Sequence, residues 1–318
     1  MRLLVGKASV LMTIQDGGRF GFQRFGVPES GPMDWWAFRA ANHLVDNHPQ
    51  QACVEIGFSS AELIMEGEDL IAARGAGYQL FINGRNMPLW MAVWVKHGDK
   101  LSLEKVPGGN WVYLGISGGI QTKAWMGSRS FYARARLGQK IQVSEALPLS
   151  ENHQGDRSRA GAQFDNNAYP AYGRDPLVRI ILGPHQDRFT SESMADLCSG
   201  SYRVSPRSDR MGYRLQGQTL LHNKGADLVS QGMALGEIQI PADGQPLVMM
   251  PDHPTTGGFT CIGTVAKVDL PLLAQAEFGL ATIQFQLIEV KPAQSALVNA
   301  LDALRNGLQT EEDAWQHL

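Results

Sequence analysis

The chain has 318 residues, of which 43% are hydrophobic, and its formal net charge is −3 at pH 7. This length predicts two domains, and the apolar content is ample for a buried core. Because the net charge is slightly negative, the composition argues against nucleic acid or an anionic membrane as the main partner.

The glycine, proline and cysteine contents narrow the fold class. The chain holds 35 glycines and 16 prolines with few long helical patterns, which predicts a mainly β protein with a few helices. Cys53, Cys198 and Cys261 are scattered and form no C-x-x-C pair. They are typical of small buried residues in a reducing compartment, not of a disulfide framework or a zinc site. No apolar run suits a signal peptide or a membrane span, so a cytoplasmic location is expected.

The first elements of the chain are a strand-like segment and a helix. Residues 1–14 are strand-like and lead into a long polar, glycine-rich loop that ends near Gly31. An apolar stripe then predicts a helix over about 34–45. Ser30 or Asp34 is the expected N-terminal cap of this helix.

Short strands follow at regular spacing over residues 52–116, with turn residues between them. Asn83-Gly84 is a strong two-residue hairpin signal. Such a series of short strands is typical of a closed or nearly closed β-barrel, and we expect a barrel-like domain over 1–149.

The second half begins after residues 150–176, which are polar and lack any apolar period. This segment is predicted to be a domain linker or a mobile loop that is poorly packed. Strands dominate over 177–291, with one short helix at about 191–197, and predict a second β domain. The tail over 292–318 is predicted to be helical because its leucines share one helix face.

One stretch of the second half, 230–259, is dense in polar side chains. Two short strands flank Asp243-Gly244 and predict a hairpin. Such a hairpin places Gln245 near Asp252, at the mouth of a pocket for a small polar ligand. The other candidate side chains and glycines there are Gln239, Thr255, Thr256, Gly257 and Gly258. Turn chemistry alone is the alternative explanation for each of these residues.

Two further loops carry arginines. The segment 205–214 supplies three, and an arginine fork recognises carboxylate or phosphate through two parallel hydrogen bonds. The alternative is that Asp209 and Arg210 lock a turn by pairing with each other. The earlier loop adds Arg19 and Arg24, together with Ser30. The spacing does not say whether these loops meet.

Several common motifs are absent from the sequence. It contains no G-x-x-x-x-G-K-[ST] loop, no G-x-G-x-x-G after a strand and no H-E-x-x-H. The segment 115–119 resembles a nucleophile elbow only in part, because it lacks the spacing and a following helix. Among the histidines, His185 and His253 lie in dense polar loops and are the two considered for a site.

The chain resembles a known family through motifs that occur in order along nearly its whole length. They read TIQDGGRFGFQRFGVPESGPMD, LGISGGIQ, GSRS, GPHQDRFT, SDRMGYRLQG and GEIQIPADGQPLVMMPDHPTTGGF. Together they are similar to the second subunit of the allophanate-hydrolase and urea-carboxylase-related family. That family includes the C subunit of bacterial 5-oxoprolinase, the Kip antagonist protein and carboxyltransferase modules of urea carboxylase. The chain departs from the family at His253-Pro254 and Phe259, which bears on substrate preference.

The resemblance implies a fold and partners. It implies two β-barrel-like domains, of which the C-terminal one is cyclophilin-like. It also implies assembly with a smaller cyclophilin-like subunit, which is the B subunit of 5-oxoprolinase or a Kip-inhibitor-like chain. The third implied component is the A subunit of 5-oxoprolinase.

The activity implied by the resemblance is that of an ATP-dependent 5-oxoprolinase complex, which opens 5-oxo-L-proline to L-glutamate. ATP would act with the partner subunits, and no metal ion is expected. In this interpretation the catalytic residues are Asp252, Gln245 and Arg210. The residues that line the substrate site are Arg19, Arg24, Ser30, Asp209, Gln239, Thr255, Thr256, Gly257 and Gly258.

Two alternatives remain open. One is a carboxyltransferase component that uses carboxybiotin and a urea-like amide. The sequence has no M-K-M biotinylation site, so a separate biotin carrier would be needed. The other is a non-catalytic antagonist of a kinase-inhibitor partner.

Overall fold

A computed structural model describes residues 1–151, 155–164 and 170–309. Contacts between Cα atoms divide the chain into two units. The first comprises Met1–Arg19, Asp34–Pro170 and Ala300–Leu318, and the second comprises Phe20–Met33 and Ala171–Asn299. One boundary therefore falls within the predicted linker, but residues 20–33 group with the second half of the chain.

The described residues before 165 form twelve strands and one α-helix. In chain order they are β1 (Arg2–Lys7), β2 (Leu11–Gln15), α1 (Trp35–Leu44), β3 (Cys53–Gly57), β4 (Ala61–Glu66), β5 (Asp69–Gly75), β6 (Tyr78–Ile82), β7 (Arg85–Met87), β8 (Ala92–Val95), β9 (Lys100–Lys105), β10 (Trp111–Ile116), β11 (Ala146–Pro148) and β12 (Gln163–Phe164).

Residues 170 to 309 form nine strands and three α-helices. They are β13 (Leu177–Leu182), α2 (Ser191–Ser199), β14 (Ser201–Val204), β15 (Gly212–Gln216), β16 (Asp227–Gly232), β17 (Glu237–Ile240), β18 (Leu247–Met249), β19 (Thr256–Val265), α3 (Leu270–Gln275), β20 (Thr282–Leu287), α4 (Val290–Asn306) and β21 (Leu308–Gln309). Within these ranges no helix combines the length and the apolar character needed to cross a membrane.

The first unit is built from two facing sheets. One has the strand order β11-β1-β4-β9-β6-β7 and the other β2-β3-β10-β5-β8. Leu63 and Leu101 of the first sheet share a buried apolar cluster with Val112 and Leu114 of the second. Helix α1 contacts β5 and β10, so the second sheet is covered on both faces. The two sheets pack face to face and do not close into a ring among the described residues, so the first unit is a sandwich where the sequence predicted a closed or nearly closed barrel.

Local signals in the first unit are confirmed. Asp34 caps α1, since its Oδ1 accepts hydrogen bonds from the backbone N–H groups of Trp36 and Ala37 at 3.1 and 2.9 Å. Asn83 and Gly84 form the predicted hairpin between β6 and β7, with φ of 51° and 79°. These positive φ values are those that a type I′ turn requires.

The predicted loose segment is packed where the structure describes it. The backbone N–H of Gly155 donates to Asp69 Oδ1 at 2.7 Å, and Arg159 donates to the carbonyl of His43 at 2.9 Å. Ala162 and Phe164 are buried. The expectation of poor packing is therefore wrong for residues 155–164, because two apolar side chains anchor a segment whose composition is mostly polar. The rest of the expectation falls partly on 152–154 and 165–169, which lie outside the described residues.

The second unit contains a closed barrel. Its ring has seven strands in the order β13-β20-β14-β15-β18-β17-β19, and β19 pairs again with β13. The β13–β20 pair is parallel, whereas the β13–β19 pair is antiparallel. Strand β16 pairs with β19 outside the ring. The buried side chains of this unit include Tyr202, Tyr213 and Phe285.

Two of the three cysteines are buried, as predicted. Cys53 and Cys261 are buried and Cys198 is half-buried, and all three are free thiols. Burial raises the pKa of the Cys261 thiol to about 12, so this thiol stays protonated near neutral pH.

We expect Gly75→Ala to destabilise the first unit strongly. Gly75 has a φ of +149°, and an added Cβ would lie 2.1 Å from the carbonyl oxygen of Trp111. Gly84→Ala is the control, because φ at Gly84 is +79° and no atom lies within 4 Å of the added Cβ. We expect losses in the free energy of unfolding of roughly 3 kcal/mol for Gly75→Ala and about 1 kcal/mol for Gly84→Ala. Equal losses in urea denaturation would show that the close approach is unimportant.

Candidate functional site

A buried ion pair joins Arg210 and Asp252 in the second unit. The Nε and Nη2 atoms of Arg210 donate to the two carboxylate oxygens of Asp252 at 2.9 and 3.2 Å. The two residues are only 6% and 4% exposed. The backbone N–H of Asp252 also donates to the carbonyl of Arg210 at 2.9 Å. The two residues are thus joined through their side chains and through their backbones, and the guanidinium is held in a two-point geometry.

The glycine-rich loop of residues 20–33 joins this pair. Arg210 Nη2 donates to the carbonyl of Gly31 at 2.6 Å, and the backbone N–H of Ser30 donates to the carbonyl of Pro251 at 3.1 Å. Three polar loops that are far apart in the sequence therefore meet at one guanidinium. We call this group of Ser30, Gly31, Arg210, Pro251 and Asp252 the arginine junction.

Ser30 has two energetically unfavourable features in the arginine junction, one in its backbone and one in its side chain. Its φ is 57°, in the left-handed region that a non-glycine residue rarely adopts. The residue is 8% exposed, and its hydroxyl has no hydrogen-bond partner among the described residues. A buried polar group without a partner costs about 1–3 kcal/mol. Backbone strain and unpaired donors of this kind cluster at functional sites, which makes Ser30 the strongest binding candidate.

Asp209 stabilises the turn next to the arginine junction. Its Oδ1 accepts from the backbone N–H groups of Met211 and Gly212 at 2.8 and 3.2 Å, and its side chain is exposed. The alternative in which Asp209 and Arg210 pair with each other is wrong. The carboxylate is used on its own turn, while the guanidinium points to Asp252.

His253 follows the ion pair directly and is buried. Its Nδ1 lies 2.6 Å from the carbonyl oxygen of Pro254. Because a carbonyl only accepts, Nδ1 donates the proton of this hydrogen bond. His185, the other histidine considered, accepts at Nδ1 from the backbone N–H of Cys261 at 3.1 Å and supports the backbone there.

Gln239 lies on β17 in a buried polar group with Glu237. Its Nε2 lies 3.3 Å from Glu237 Oε1 and 2.9 Å from Met233 Sδ. An added Cβ at Gly257 would lie 3.1 Å from Gln239 Nε2 and 2.3 Å from Met233 Sδ. A glycine at 257 therefore lets this strand approach both side chains closely.

Thr256, Gly257 and Gly258 belong to β19, so the alternative explanation by turn chemistry is wrong for these three residues. Strand β16 pairs with this end of β19 and supplies its backbone hydrogen-bond partners. The two glycines allow the neighbouring strand to approach closely. An added Cβ at Gly258 would lie 2.8 Å from the carbonyl oxygen of Leu228. Thr255 is half-buried, and its carbonyl accepts from the N–H of Met233 at 3.0 Å.

Gln245 does not meet Asp252. The predicted hairpin of β17 and β18 is present, with Ile238 opposite Val248. However, Gln245 precedes β18 and Asp252 follows it, so an extended strand separates them. The side chain of Gln245 accepts from the N–H of Gly217 at 2.9 Å. Its predicted position beside Asp252 is therefore wrong.

The two remaining arginines are placed differently from each other. Arg19 belongs to the first unit, where it is buried and donates to the carbonyls of Trp125 and Ser130 at 3.1 and 2.8 Å. Arg24 is exposed and stacks over the ring of Phe25 at 4.7 Å. Their predicted substrate-binding roles remain predictions.

Comparison with known proteins identifies the family of this chain. The profile described as "Carboxyltransferase domain, subdomain A and B" matches residues 25–287. The chain is 30% identical to the 5-oxoprolinase C subunit of Escherichia coli K12 over 281 residues, which cover 87% of this chain and 88% of that protein. It is also 30% identical to the 5-oxoprolinase C subunit of Haemophilus influenzae over 285 residues, with 88% and 89% covered.

A solved structure with a similar fold is the urea amidolyase of K. lactis. It superimposes with a TM-score of 0.90 at 28% sequence identity and covers 96% of this chain. The chain spans only 20% of the length of that much larger protein.

We expect Arg210→Ala and Asp252→Ala each to lower the free energy of unfolding by about 3–5 kcal/mol, because each leaves a buried charge without its partner. Replacing an exposed arginine by alanine would change the free energy of unfolding little, so the large loss is expected because Arg210 is buried. Lys224→Ala is the matched control in the same unit, since Lys224 and Asp187 form an exposed pair at 2.8 Å. That variant should lose less than about 1 kcal/mol. Similar chemical denaturation curves for all three variants would contradict the role given to burial.

Proposed function

Because the chain belongs to the carboxyltransferase domain family, we propose that it is the C subunit of an ATP-dependent 5-oxoprolinase complex. The complex opens the lactam of 5-oxo-L-proline to give L-glutamate. The observation that carries the proposal is the near full-length match, in both directions, to two proteins named as C subunits of 5-oxoprolinase.

The arginine junction has the polar groups that a small lactam needs. 5-Oxoproline carries a carboxylate and a planar amide, which require hydrogen-bond donors and acceptors. The Ser30 hydroxyl has no hydrogen-bond partner among the described residues, so it can both donate to and accept from a substrate. Asp252 already neutralises Arg210, so both act as positioning residues that hold Ser30 in place. Gln239, beside Gly257, is a further candidate for the lactam amide.

ATP is proposed to act with partner subunits. Lactam opening is uphill, and phosphorylation of the amide oxygen would make the carbonyl a better electrophile. Negative charge that develops on oxygen and phosphoryl is stabilised by preorganised donors and cations. The proposed partners are the A subunit of 5-oxoprolinase and the smaller cyclophilin-like B subunit. We also propose that the seven-strand barrel is cyclophilin-like.

A second candidate is carboxyl transfer from carboxybiotin to a urea-like amide. The superposition on a urea amidolyase over nearly the whole chain favours it. Both substrates are planar amides, so the same donors suit either reaction. In this case biotin would be carried by another chain.

We expect the isolated chain to show no turnover of 5-oxoproline. Its sequence has no phosphate-binding loop of the G-x-x-x-x-G-K-[ST] type. Addition of the A and B subunits with ATP should give stoichiometric glutamate and ADP, measured by a coupled assay. Avidin should leave this rate unchanged. Loss of the rate with avidin would favour carboxyl transfer, and turnover by the chain alone would remove the need for partners.

Ser30→Ala tests the arginine junction with little change in stability, because the hydroxyl has no partner to lose. If the hydroxyl binds substrate, kcat/KM of the complex should fall about ten- to a hundredfold, equivalent to roughly 1–3 kcal/mol. The control is Ser193→Ala, whose buried hydroxyl accepts from the N–H of Leu221 at 2.6 Å. The control should lower Tm and keep kcat/KM. Unchanged kcat/KM in Ser30→Ala would place the substrate elsewhere.

A further inference from the structure

Three arginines lie together on the outer surface of the barrel in the second unit. Arg203 is on β14, Arg214 is on β15, and Arg207 is in the turn that joins these strands. All three are exposed. Arg203 lies opposite Gln216 in the antiparallel pair, and Arg214 is two residues before Gln216. Side chains two apart on a strand share a face, so Arg203, Arg214 and Gln216 lie on the same face.

None of these three guanidinium groups forms an ion pair within the described part of the chain. Arg210, which lies in the same segment 205–214, differs from them because it is paired with Asp252. The segment 205–214 thus separates into one arginine used inside the protein and two available to a ligand. Arginines that meet no internal carboxylate keep their full set of donors for an external anion.

Two adjoining clefts hold these side chains. A cleft of about 80 Å³ is lined by Ser205, Arg207, Arg214, Gln216, Asp243 and Gln245. An open neighbouring cleft is lined by Ser201, Arg203, Gln216 and Thr282, so Gln216 is shared. By the same measure a cavity of about 10–15 Å³ holds one water molecule, so the first cleft has room for a compact oxyanion but not for a whole nucleotide.

The charged side chains that line the first cleft give it a net positive charge. Asp243 is the carboxylate on its rim, and its Oδ1 accepts from the backbone N–H of Gln245 at 3.1 Å. Arg207 and Arg214 outweigh this single negative charge, and Arg203 adds a third positive charge next to it.

The backbone beneath the arginines is fixed by serine side chains. Ser205 Oγ accepts from the N–H of Arg207 at 3.2 Å, and Ser208 Oγ accepts from the N–H of Arg214 at 3.0 Å. The N–H of Ser205 donates to the carbonyl of Arg214 at 2.8 Å. A ligand therefore orders only the side chains of the arginines, which lowers the entropic cost of binding.

We propose that this cleft is a binding site for a phosphate group, held by the forks of Arg207 and Arg214 with Arg203 alongside. Arginine matches tetrahedral phosphate oxygens through paired N–H donors, and a dianion uses more of them than a carboxylate does. The site is separate from the arginine junction and does not rest on the proposed reaction. Gln245, which lies away from Asp252, lines this site instead.

The test is a calorimetric titration of the full chain with inorganic phosphate at low ionic strength. We expect saturable binding that weakens at least tenfold in the double variant R207A/R214A. The matched control is Arg85→Ala, which removes one exposed arginine from β7 and should bind phosphate like the parent. The variant R207K/R214K keeps the charge but loses the forks, and should bind more weakly than the parent. Circular dichroism verifies that each variant is folded.

Two outcomes would overturn the proposal. One is the absence of saturable phosphate binding, and the other is binding that R207A/R214A leaves unchanged. Titration with L-glutamate tests the ligand class, and binding as tight as that of phosphate would also overturn it. Titration with ATP distinguishes the source of the phosphate group. Tighter binding than inorganic phosphate identifies a nucleotide whose terminal phosphate enters the cleft, and equal or weaker binding identifies free phosphate.

Discussion

The second unit depends on one buried guanidinium. Removing a charged pair from water is costly, and the cost is offset only when geometry and additional hydrogen bonds are good. Arg210 meets this condition by donating to both oxygens of Asp252 and to the carbonyl of Gly31. The same contacts hold a loop from the start of the chain against loops from its second half. A hydrophobic contact could bury these segments, but it would not fix the positions of their polar groups as directional hydrogen bonds do.

The local structure could largely be predicted from the sequence. The cap at Asp34 and the turn at Asn83-Gly84 are set by residues within four positions of each other, so the sequence contains the whole cause. The barrel of the second unit was also expected, from the family resemblance. The sandwich of the first unit was not, because closure depends on which strand edges pair across long distances. The packing of residues 155–164 could not be predicted from composition, because composition averages over a segment whereas two buried side chains are enough to anchor it.

The candidate site could be predicted only in part. The sequence identified Ser30, Arg210 and Asp252 as polar residues in loops, but nothing in their spacing says that they meet. Gly31 and Pro251 contribute backbone carbonyls, which no side-chain pattern reveals. Neighbours in sequence also separate: Asp209 caps a turn while Arg210 points inward, and Gln245 and Asp252 lie at opposite ends of β18. These differences arise from strand direction and register, which are properties of the folded sheet.

The order in which the barrel strands are synthesised has a consequence for how the second unit folds. The first strand of the ring, β13, has both of its ring partners, β19 and β20, near the end of the chain. While the ribosome extends the chain, β13 therefore has neither ring neighbour, and its unpaired edges are exposed to other nascent chains. Such long-range pairing slows folding, because the entropy of a large loop is lost before the ring contacts form. The ring thus cannot close before β20 has been synthesised, and until then the edges of β13 are open to aggregation and to chaperones.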